Sequence, residues 1–231
     1  WQHQKKTDPV LIPSNSVLPK LWEDVIDIAN ESDAVINFSY DWLPLWLTKT
    51  QEFKIFHLIS MGAESLIMKE IISEVSQLFP FQLAFHTKRQ SKDYSLKTDP
   101  IIVGNGFDME NYLFNENENG PLGWAGRIAP EKGLEDAVKV ANDLGEKLLV
   151  WGLIEDKEYA SKIENTFTKE IVEWRGFLPT NKFQEQLGRC RALINTPKWN
   201  EAYGNVIVEA MACGVPVIAY DLGGPGELIE D

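Results

Sequence analysis

The run Glu201-Ala202-Tyr203-Gly204-Asn205-Val206-Ile207-Val208-Glu209, followed by Ala210-Met211-Ala212-Cys213-Gly214-Val215-Pro216-Val217-Ile218-Ala219-Tyr220, decides the fold class of this chain. It predicts a loop, then a short helix that begins near Asn205 and is closed by Gly214, then a buried strand of the parallel type. Loop, helix and strand in this order form one unit of a parallel α/β sheet. The same run also places two carboxylates, Glu201 and Glu209, on the loop and on the helix.

Short apolar runs alternate with helical patterns through the second half of the chain, from Pro121 onward. Apolar residues recur at helical spacing from Leu134 to Leu144, and Thr180 is expected to cap a helix that reaches Leu187. Strict alternation of strand and helix predicts βαβ units in a doubly wound parallel sheet. The predicted strands are 122–125, 148–151, 171–174, 192–195 and 215–220.

The first half repeats this theme more loosely and predicts a second α/β domain. The stretch 115–120, rich in Asn and Glu, predicts a linker. We therefore expect two Rossmann-like, doubly wound parallel-sheet domains, 1–114 and 121–231. Both are expected to be truncated, because the chain begins at Trp1 rather than Met and the second domain has five predicted strands without a closing element. In the first domain the predicted strands are 10–12, 34–38, 54–59, 83–85 and 101–103, and the predicted helices are 16–29 and 63–78.

Composition limits the classes of partner. The 22 basic and 35 acidic residues give a formal net charge of −13, which argues against nucleic acid as a partner. No apolar run reaches the length of a membrane span. Cys190 and Cys213 both lie in predicted core elements, so we expect buried free thiols in a reducing compartment and a cytoplasmic protein. The sequence does not indicate the oligomeric state.

A glycine-bounded loop, Gly126-Arg127-Ile128-Ala129-Pro130-Glu131-Lys132-Gly133, follows the first predicted strand of the second domain. Ligands of such sheets bind beyond the carboxyl ends of the strands. Arg127 can fork onto phosphate oxygens and Lys132 adds a point charge, while the glycines allow close backbone approach. The loop predicts a diphosphate site, and an Arg and a Lys in an ordinary surface turn are the alternative.

The two glutamates predict contacts with a sugar. Glu209 lies four residues after Asn205, so both share a helix face at a helix start whose free N–H groups can meet an anion. A carboxylate has two acceptor oxygens, which suit a vicinal diol such as a ribose. Two solvated acids on an ordinary helix are the alternative for Glu201 and Glu209.

These motifs, together with three further segments, resemble the retaining glycosyltransferases of the glycosyltransferase four family. The resemblance implies the two-domain GT-B fold, with a nucleotide-sugar donor in the second domain and a small-molecule acceptor on the side of the first. It further implies that Arg127 and Lys132 bind the donor diphosphate and stabilise it as leaving group, and that Glu209 binds the ribose. The three segments are Asn105-Gly106-Phe107-Asp108, Gly214-Val215-Pro216-Val217 and Gly223-Gly224-Pro225.

The resemblance also assigns roles to other residues. Glu201 would face the donor sugar near the reacting carbon, and the backbone of Gly204, Asn205 and Val206 would contact sugar hydroxyls or phosphate. Phe177 and Leu178 would hold the base. His57, at a predicted strand end, matches a sugar-contacting histidine of the family and joins Arg127, Lys132 and Glu201 as a candidate catalytic residue. A packed, hydrogen-bonded His57 is the alternative.

The acceptor is expected near the aromatic stretch Phe38-Ser39-Tyr40-Asp41-Trp42-Leu43-Pro44-Leu45-Trp46. Tyr40 and Trp42 offer flat faces and Asp41 can accept from an amino-pyrimidine edge, whereas rings that pack a short helix onto the core are the alternative. The segments 36–44 and 57–62 resemble cyanobacterial glucosyltransferases that transfer glucose from UDP-glucose to tetrahydrobiopterin. That resemblance implies a reduced pterin as acceptor and an α-glucoside as product.

Other classes of protein remain open at this point. A non-catalytic nucleotide-sugar-binding remnant would carry the same motifs. A dinucleotide-dependent oxidoreductase is disfavoured because Gly104-Asn105-Gly106 has Met109 where Gly-x-Gly-x-x-Gly requires the third glycine. A phosphorylase or an epimerase could share the architecture. The chain has no Asp-x-Asp sequence of the kind that holds a divalent ion on a diphosphate, so we expect no metal, and no cofactor is implied.

Overall fold

The computed structural model describes residues 17–63, 65–115, 119–167 and 170–229. They form two compact units that divide between Gly104 and Asn105. Each unit is built on a parallel β-sheet, which confirms the predicted α/β class with two parallel sheets. The strand predicted at 10–12 and the centre of the predicted linker, 116–118, lie outside the described residues.

The first unit contains a four-stranded sheet in the order β1-β2-β3-β4, with every neighbouring pair parallel. Alternate residues of β2 are buried, as expected for a strand with one covered face. Helices α2 and α3 pack on that face, where Leu45, Ile72 and Phe85 are almost fully buried. The elements are α1 (Leu18–Ala29), β1 (Val35–Asn37), α2 (Trp42–Leu47), β2 (Ile55–Ile59), α3 (Leu66–Leu78), β3 (Leu83–Phe85), α4 (Lys88–Lys92) and β4 (Ile101–Ile102).

The second unit contains a five-stranded parallel sheet in the order β7-β6-β5-β8-β9. This is a doubly wound order: β6 and β7 are added on one side of β5, and β8 and β9 on the other. Its elements are β5 (Leu122–Ala125), α5 (Leu134–Leu144), β6 (Leu148–Trp151), α6 (Lys157–Thr166), β7 (Val172–Gly176), α7 (Thr180–Leu187), β8 (Ala192–Asn195), α8 (Asn205–Ala212), β9 (Val217–Ala219) and α9 (Pro225–Leu228).

Both faces of the second sheet are covered. Val150 belongs to a core cluster with residues of α5 and α6, whereas Leu149 belongs to another cluster with residues of α7 and α8. Successive strand residues point to opposite faces, so β6 is buried along its whole length. The continuous apolar runs found in the sequence are the consequence of this two-sided burial.

The two units divide earlier than the 114/115 boundary that composition predicts. The residues after Gly104 pack within the second unit. The ring of Phe107 stacks on Tyr203 with 6.2 Å between centroids, and the Asn115 N–H donates to the Cys213 carbonyl over 3.0 Å. A polar composition marks a loop, but it does not reveal which unit the ends of the loop contact.

The structure corrects several local predictions. The stretch expected as an acceptor loop contains α2, and α4 and α6 were not predicted. Thr180 is the first residue of α7, which Pro179 precedes as N-cap. Helix α8 begins at Asn205, as predicted, and Gly204 is its N-cap. Gly204 has a φ of 102°, a conformation that glycine adopts without strain.

Cys190 and Cys213 are both free and buried, as the sequence predicts. Burial raises the pKa of the Cys190 thiol to about 12. Within the part of the chain that the structure describes, no helix has the length and apolarity needed to cross a membrane.

Candidate functional site

The strand order of the second sheet selects one edge for ligand binding. β5 has β6 on one side and β8 on the other, and the helices that follow β5 and β8 lie on opposite faces of the sheet. Such a switch point opens a crevice in doubly wound sheets. The two loops are 126–133, which contains the Arg and Lys, and 196–204, which contains Glu201. We refer to the space between them as the switch-point crevice.

Two hydrogen bonds to backbone carbonyls join the two loops. Thr196 Oγ1 donates to the Gly133 carbonyl over 2.8 Å, and the Lys198 N–H donates to the Glu131 carbonyl over 2.8 Å. Gly133 has a φ of 64°, and a Cβ at this position would lie 2.0 Å from the Thr196 carbonyl oxygen. Only glycine fits this approach, which explains the glycine that ends the predicted phosphate loop.

Lys132 and Glu201 form an ion pair across the crevice. Their side chains are 18% and 19% exposed, so solvent screens the pair only in part. Trp199 Nε1 donates to Glu201 Oε2 over 3.1 Å, and Lys132 Nζ lies 4.8 Å from the centroid of the Trp199 ring. Lys132, which is predicted to bind phosphate, and Glu201, which is predicted to bind sugar, are thus direct neighbours.

Arg127 lies at the start of the same crevice and is 43% exposed. Its guanidinium contacts Glu131 over 3.1 Å and also pairs with Glu155. Its Cζ lies 5.9 Å from the Trp199 ring centroid. Both candidate phosphate-binding cations are therefore balanced by carboxylates of the chain and lie near one indole ring.

The first turn of α8 borders the crevice. Asn205 is exposed at the first helical position, where its Oδ1 accepts a hydrogen bond from Asn105 Nδ2 over 2.6 Å. Val206 packs against a core cluster, so it can offer only its backbone to a ligand. The N-terminal N–H groups of α8 and the amide of Asn205 are the polar groups that this turn presents.

Glu209 lies one turn further along α8 and is half-buried. Burial raises the pKa of its carboxyl, and the charge of Glu209 adds to burial in raising the pKa of Tyr112. Among the described residues, no hydrogen bond or ion pair engages the Glu209 carboxylate. A partly desolvated carboxylate without a protein partner is costly, which is typical of groups that meet a ligand.

Two glycines support the loop that contains Glu201. The Gly224 N–H donates to the Glu201 carbonyl over 2.7 Å. A Cβ at Gly223 would lie 2.3 Å from the same carbonyl oxygen, and one at Gly224 would lie 2.2 Å from that of Tyr203. The backbone of Gly223 and Gly224, in the Gly223-Gly224-Pro225 segment of the sequence analysis, therefore packs directly against the loop that contains Glu201.

Comparison with known proteins identifies the family of the chain. The family described as Glycosyl transferases group 1 matches residues 107–231, which include the switch-point crevice and more than half of the chain. The chain belongs to this family.

Relatives of this group 1 chain agree with that assignment. It is 29% identical over 187 residues to an uncharacterised glycosyltransferase of Methanocaldococcus jannaschii, covering 76% of this chain and 52% of the relative. It is 31% identical over 114 residues to 2-deoxystreptamine glucosyltransferase of Streptomyces kanamyceticus, covering 46% and 29%. The chain thus spans about half the length of the first relative.

The fold of the group 1 chain is that of solved glycosyltransferase structures. It superposes on the crystal structure of Anabaena HepE in complex with UDP-glucose with a TM-score of 0.79 at 19% identity, covering 96% of this chain and 70% of HepE. This likeness confirms the GT-B fold that the motifs suggested.

The predicted base-binding residues lie next to the same edge of the sheet. β7 ends at Gly176, so Phe177 and Leu178 follow its carboxyl end directly. Phe177 is 69% exposed, whereas Leu178 packs against a core cluster. Their backbone lies at the carboxyl-end edge of the sheet, where doubly wound sheets bind ligands. The role of both residues stays a prediction.

His57 does not lie where the sequence placed it. It is in the middle of β2 rather than at its end, and it is 2% exposed. Asn37 Nδ2 lies 3.0 Å from His57 Nδ1, and Thr48 Oγ1 lies 2.7 Å from Nε2. Because both ring nitrogens have internal partners, the geometry fits the packed, hydrogen-bonded histidine that the sequence left as the alternative, and a catalytic role stays a prediction. Burial lowers the pKa of His57 to about 4, which keeps the ring neutral.

The predicted acceptor residues take part in structural contacts of the first unit. Asp41 is the N-cap of α2, where its Oδ1 accepts from the Leu43 N–H over 2.8 Å. Tyr40 donates through its hydroxyl to the Gly62 carbonyl over 3.1 Å. The rings of Trp42 and Trp46 stack with 5.9 Å between centroids. A short helix packed by aromatic rings, the alternative reading of this stretch, is present, and acceptor binding stays a prediction.

Two residues that the sequence reasoning missed have informative positions. His86 directly follows β3, where Nδ1 contacts the Gly104 carbonyl over 2.8 Å and Nε2 contacts Ser60 Oγ over 3.1 Å. Its place after a correctly predicted strand was the available signal. Trp199 was missed as well, although it stands two positions before Glu201 on a strand-end loop.

Proposed function

We propose that this chain contains the nucleotide-sugar site of a retaining glycosyltransferase that moves glucose from UDP-glucose to a small acceptor. One observation carries the proposal: Lys132, Arg127 and Glu201 meet at the switch-point crevice of a doubly wound sheet. Membership of the group 1 family supports sugar transfer. The shared fold with HepE, which was crystallised with UDP-glucose, supports the choice of donor.

The charges of the crevice suit a diphosphate. Lys132 and Arg127 are held by carboxylates of the chain, and a diphosphate can replace those partners with oxygens that accept shorter, charge-assisted hydrogen bonds. During transfer, negative charge develops on the leaving diphosphate as the sugar gains oxocarbenium character. The two cations and the N-terminus of α8 would stabilise that charge without a metal ion or a cofactor.

The remaining donor contacts follow from the fold. Glu209 would accept from the ribose hydroxyls, which gives its unpartnered carboxylate the hydrogen bonds it lacks. Glu201 would face the transferred sugar, with Gly204, Asn205 and Val206 contacting it or the phosphates through the α8 turn. The backbone of Phe177 and Leu178 would hold the base. Two buried free thiols support a reducing compartment, so we place the protein in the cytoplasm.

For the acceptor we propose a reduced pterin that docks near Tyr40, Asp41 and Trp42. The stacked pair of Trp42 and Trp46 supplies the aromatic surface, and Trp46 is 39% exposed. Asp41 uses Oδ1 for the α2 cap, and its second oxygen can accept from a pterin amino group. His57 has no part in this proposal because its ring is fully engaged inside the first unit.

Calorimetry with UDP tests the donor site. Replacing Lys132 with Ala should raise the Kd for UDP by about 30-fold, the effect expected from losing a hydrogen bond to a charged group. Lys198→Ala is the matched control, because Lys198 follows β8 but pairs with Glu135 and Asp136 instead of facing Glu201. Equal effects of both substitutions, or no binding of UDP by the unaltered chain, would contradict the donor site.

Turnover separates the enzyme from its non-catalytic alternative. The full-length protein, given UDP-glucose and tetrahydrobiopterin, should release UDP and form an α-glucoside. Binding of UDP-glucose without release of UDP would favour a nucleotide-sugar-binding remnant. Release with 2-deoxystreptamine but not with the pterin would keep the donor proposal and reject the pterin acceptor.

A further inference from the structure

Trp199 contacts three charged side chains of the switch-point crevice, Arg127, Lys132 and Glu201, and no motif accounts for it. We propose that Trp199 is a positioning residue, which holds Lys132 and Glu201 in place when a nucleotide sugar replaces the ion pair between them. This inference rests on the proposed donor site and adds a determinant of how the transferred sugar is recognised.

The face of the indole holds the cations. Lys132 Nζ lies 4.8 Å and Arg127 Cζ 5.9 Å from the ring centroid, both within the range in which a ring face attracts a cation. A lysine side chain has four rotatable bonds, and fixing it costs conformational entropy. A ring that confines Lys132 beforehand reduces the cost of binding a diphosphate.

The edge of the indole holds the carboxylate. Trp199 Nε1 and Lys132 Nζ both donate to the same oxygen of Glu201, Oε2. When Lys132 turns to a diphosphate, the indole N–H remains as the donor that fixes this carboxylate. In the described part of the chain, Oε1 of Glu201 accepts no hydrogen bond, so it is available for a sugar hydroxyl. A single indole therefore separates the two functions, with its face serving the phosphate ligands and its N–H serving the sugar ligand.

Two substitutions test these functions separately. Trp199→Phe keeps an aromatic face but loses the N–H, whereas Trp199→Leu loses both. Calorimetry with UDP and with UDP-glucose reports phosphate and sugar contacts, respectively. We expect Trp199→Phe to change the Kd for UDP by about twofold. The same substitution should raise the Kd for UDP-glucose by about tenfold, because Glu201 loses its remaining donor.

Trp199→Leu should raise the Kd for UDP itself by about fivefold, since Lys132 and Arg127 lose their contact with the ring. Trp174→Phe is the matched control: this tryptophan of β7 packs against a core cluster, and its replacement should leave the ratio of the two dissociation constants unchanged. Thermal unfolding of each variant checks that it is folded.

The outcomes distinguish this inference from the donor proposal. If the unaltered chain binds neither ligand, the donor proposal fails and the role of Trp199 fails with it. If the unaltered chain binds both and Trp199→Phe shifts the two dissociation constants by the same factor, the donor proposal stands and the positioning role is overturned. A selective loss of UDP-glucose affinity in Trp199→Phe supports it.

Discussion

At the scale of single residues, Glu209 connects stability with function. Burial raises the pKa of its carboxyl, and no described residue donates to it. A group whose folded pKa is raised in this way destabilises the folded state once it ionises, so the cost is present at neutral pH and disappears as the pH falls below the ordinary range of a carboxyl. The chain retains a carboxylate at a position where a neutral side chain would be more stable.

We expect Glu209→Gln to raise the melting temperature at pH 7.5 and to have no such effect near pH 4, where Glu209 itself is protonated. The same substitution should raise the Kd for UDP about tenfold, because the amide keeps only one of the two oxygens that can accept from the ribose hydroxyls. Thermal unfolding at both pH values and calorimetry with UDP measure the two effects. Glu52→Gln, at an exposed position outside the helices and strands, is the control and should change neither.

Burial also favours the neutral form of His57, but because histidine is a base its pKa is lowered rather than raised. Asn37 Nδ2 can only donate, so the ring nitrogen beside it, Nδ1, must accept. Thr48 Oγ1 also contacts the Pro44 carbonyl over 2.9 Å, which leaves its lone pairs for a proton on Nε2. All of these contacts are satisfied by a neutral ring, in agreement with the lowering of the pKa of His57 to about 4.

The stabilising effect of neutral His57 should be complete above pH 6.5 and should be lost as the pH falls from about 6.5 toward 4. The loss should reach about 3 kcal/mol at the acid end, because the folded ring resists the proton that the unfolded ring accepts. Urea unfolding at pH 7, 5.5 and 4.5 measures it. His57→Gln does not titrate, so an equally steep decline in that variant would contradict the assignment.

At the scale of elements, the approach of the β5 loop to the end of β8 depends on Gly133. Gly133 and Gly145 both have left-handed backbones, with φ of 64° and 66°. A Cβ at Gly145 would meet nothing within 4 Å, whereas one at Gly133 would lie 2.0 Å from the Thr196 carbonyl oxygen. Replacing either glycine imposes the same conformational cost, that of a left-handed backbone. Only at Gly133 is a steric clash added.

Gly145→Ala should lower the free energy of unfolding by about 1 kcal/mol, the cost of a left-handed alanine. Gly133→Ala should lower it by about 3 kcal/mol or more, since backbone must move as well. It should also weaken UDP, because Lys132 and Glu201 lie on the two loops that separate. Urea unfolding and calorimetry on both variants measure these effects, and a UDP affinity that Gly133→Ala leaves unchanged would place the ligand elsewhere.

The elements themselves were predicted unevenly. Strands β3, β5, β6 and β8 were predicted with their observed ends, because each is a short apolar run between polar turns. Helix α2 was missed because it is short and rich in Trp, Leu and Pro, a composition without clear helical periodicity. Asp41 as its N-cap was the available signal, and the prediction used that carboxylate for a ligand instead.

At the scale of the whole molecule, the net negative charge should allow the protein to bind UDP but not a large polyanion such as DNA. The formal net charge is −13, while the crevice holds Arg127 and Lys132, five positions apart on one loop, beside the same indole ring. We expect no binding of a 20-nucleotide DNA duplex at 0.15 M NaCl, where a few local cations cannot displace enough counterions. UDP should still bind under the same conditions. Fluorescence anisotropy of labelled DNA measures the first, and DNA binding that UDP displaces would contradict this expectation.

The sequence by itself determined the fold class, most strands of both sheets and the charged residues of the proposed donor site. These properties depend on local patterns, because burial on both faces requires continuous apolar runs and phosphate loops require glycine beside cations. Family membership follows from the same motifs. Glu209 and Lys132 needed no tertiary information to be singled out.

Only the tertiary structure decided which of these residues are neighbours. The strand order of the second sheet brings the β5 and β8 loops together, and no single segment of the sequence predicts this order. It brings Lys132 to Glu201 and places Trp199 beside both, while the packing of the first unit encloses His57 among internal partners. Contacts between residues distant in sequence arise from packing of whole elements, so a local pattern predicts the side chain available and not the partner it meets.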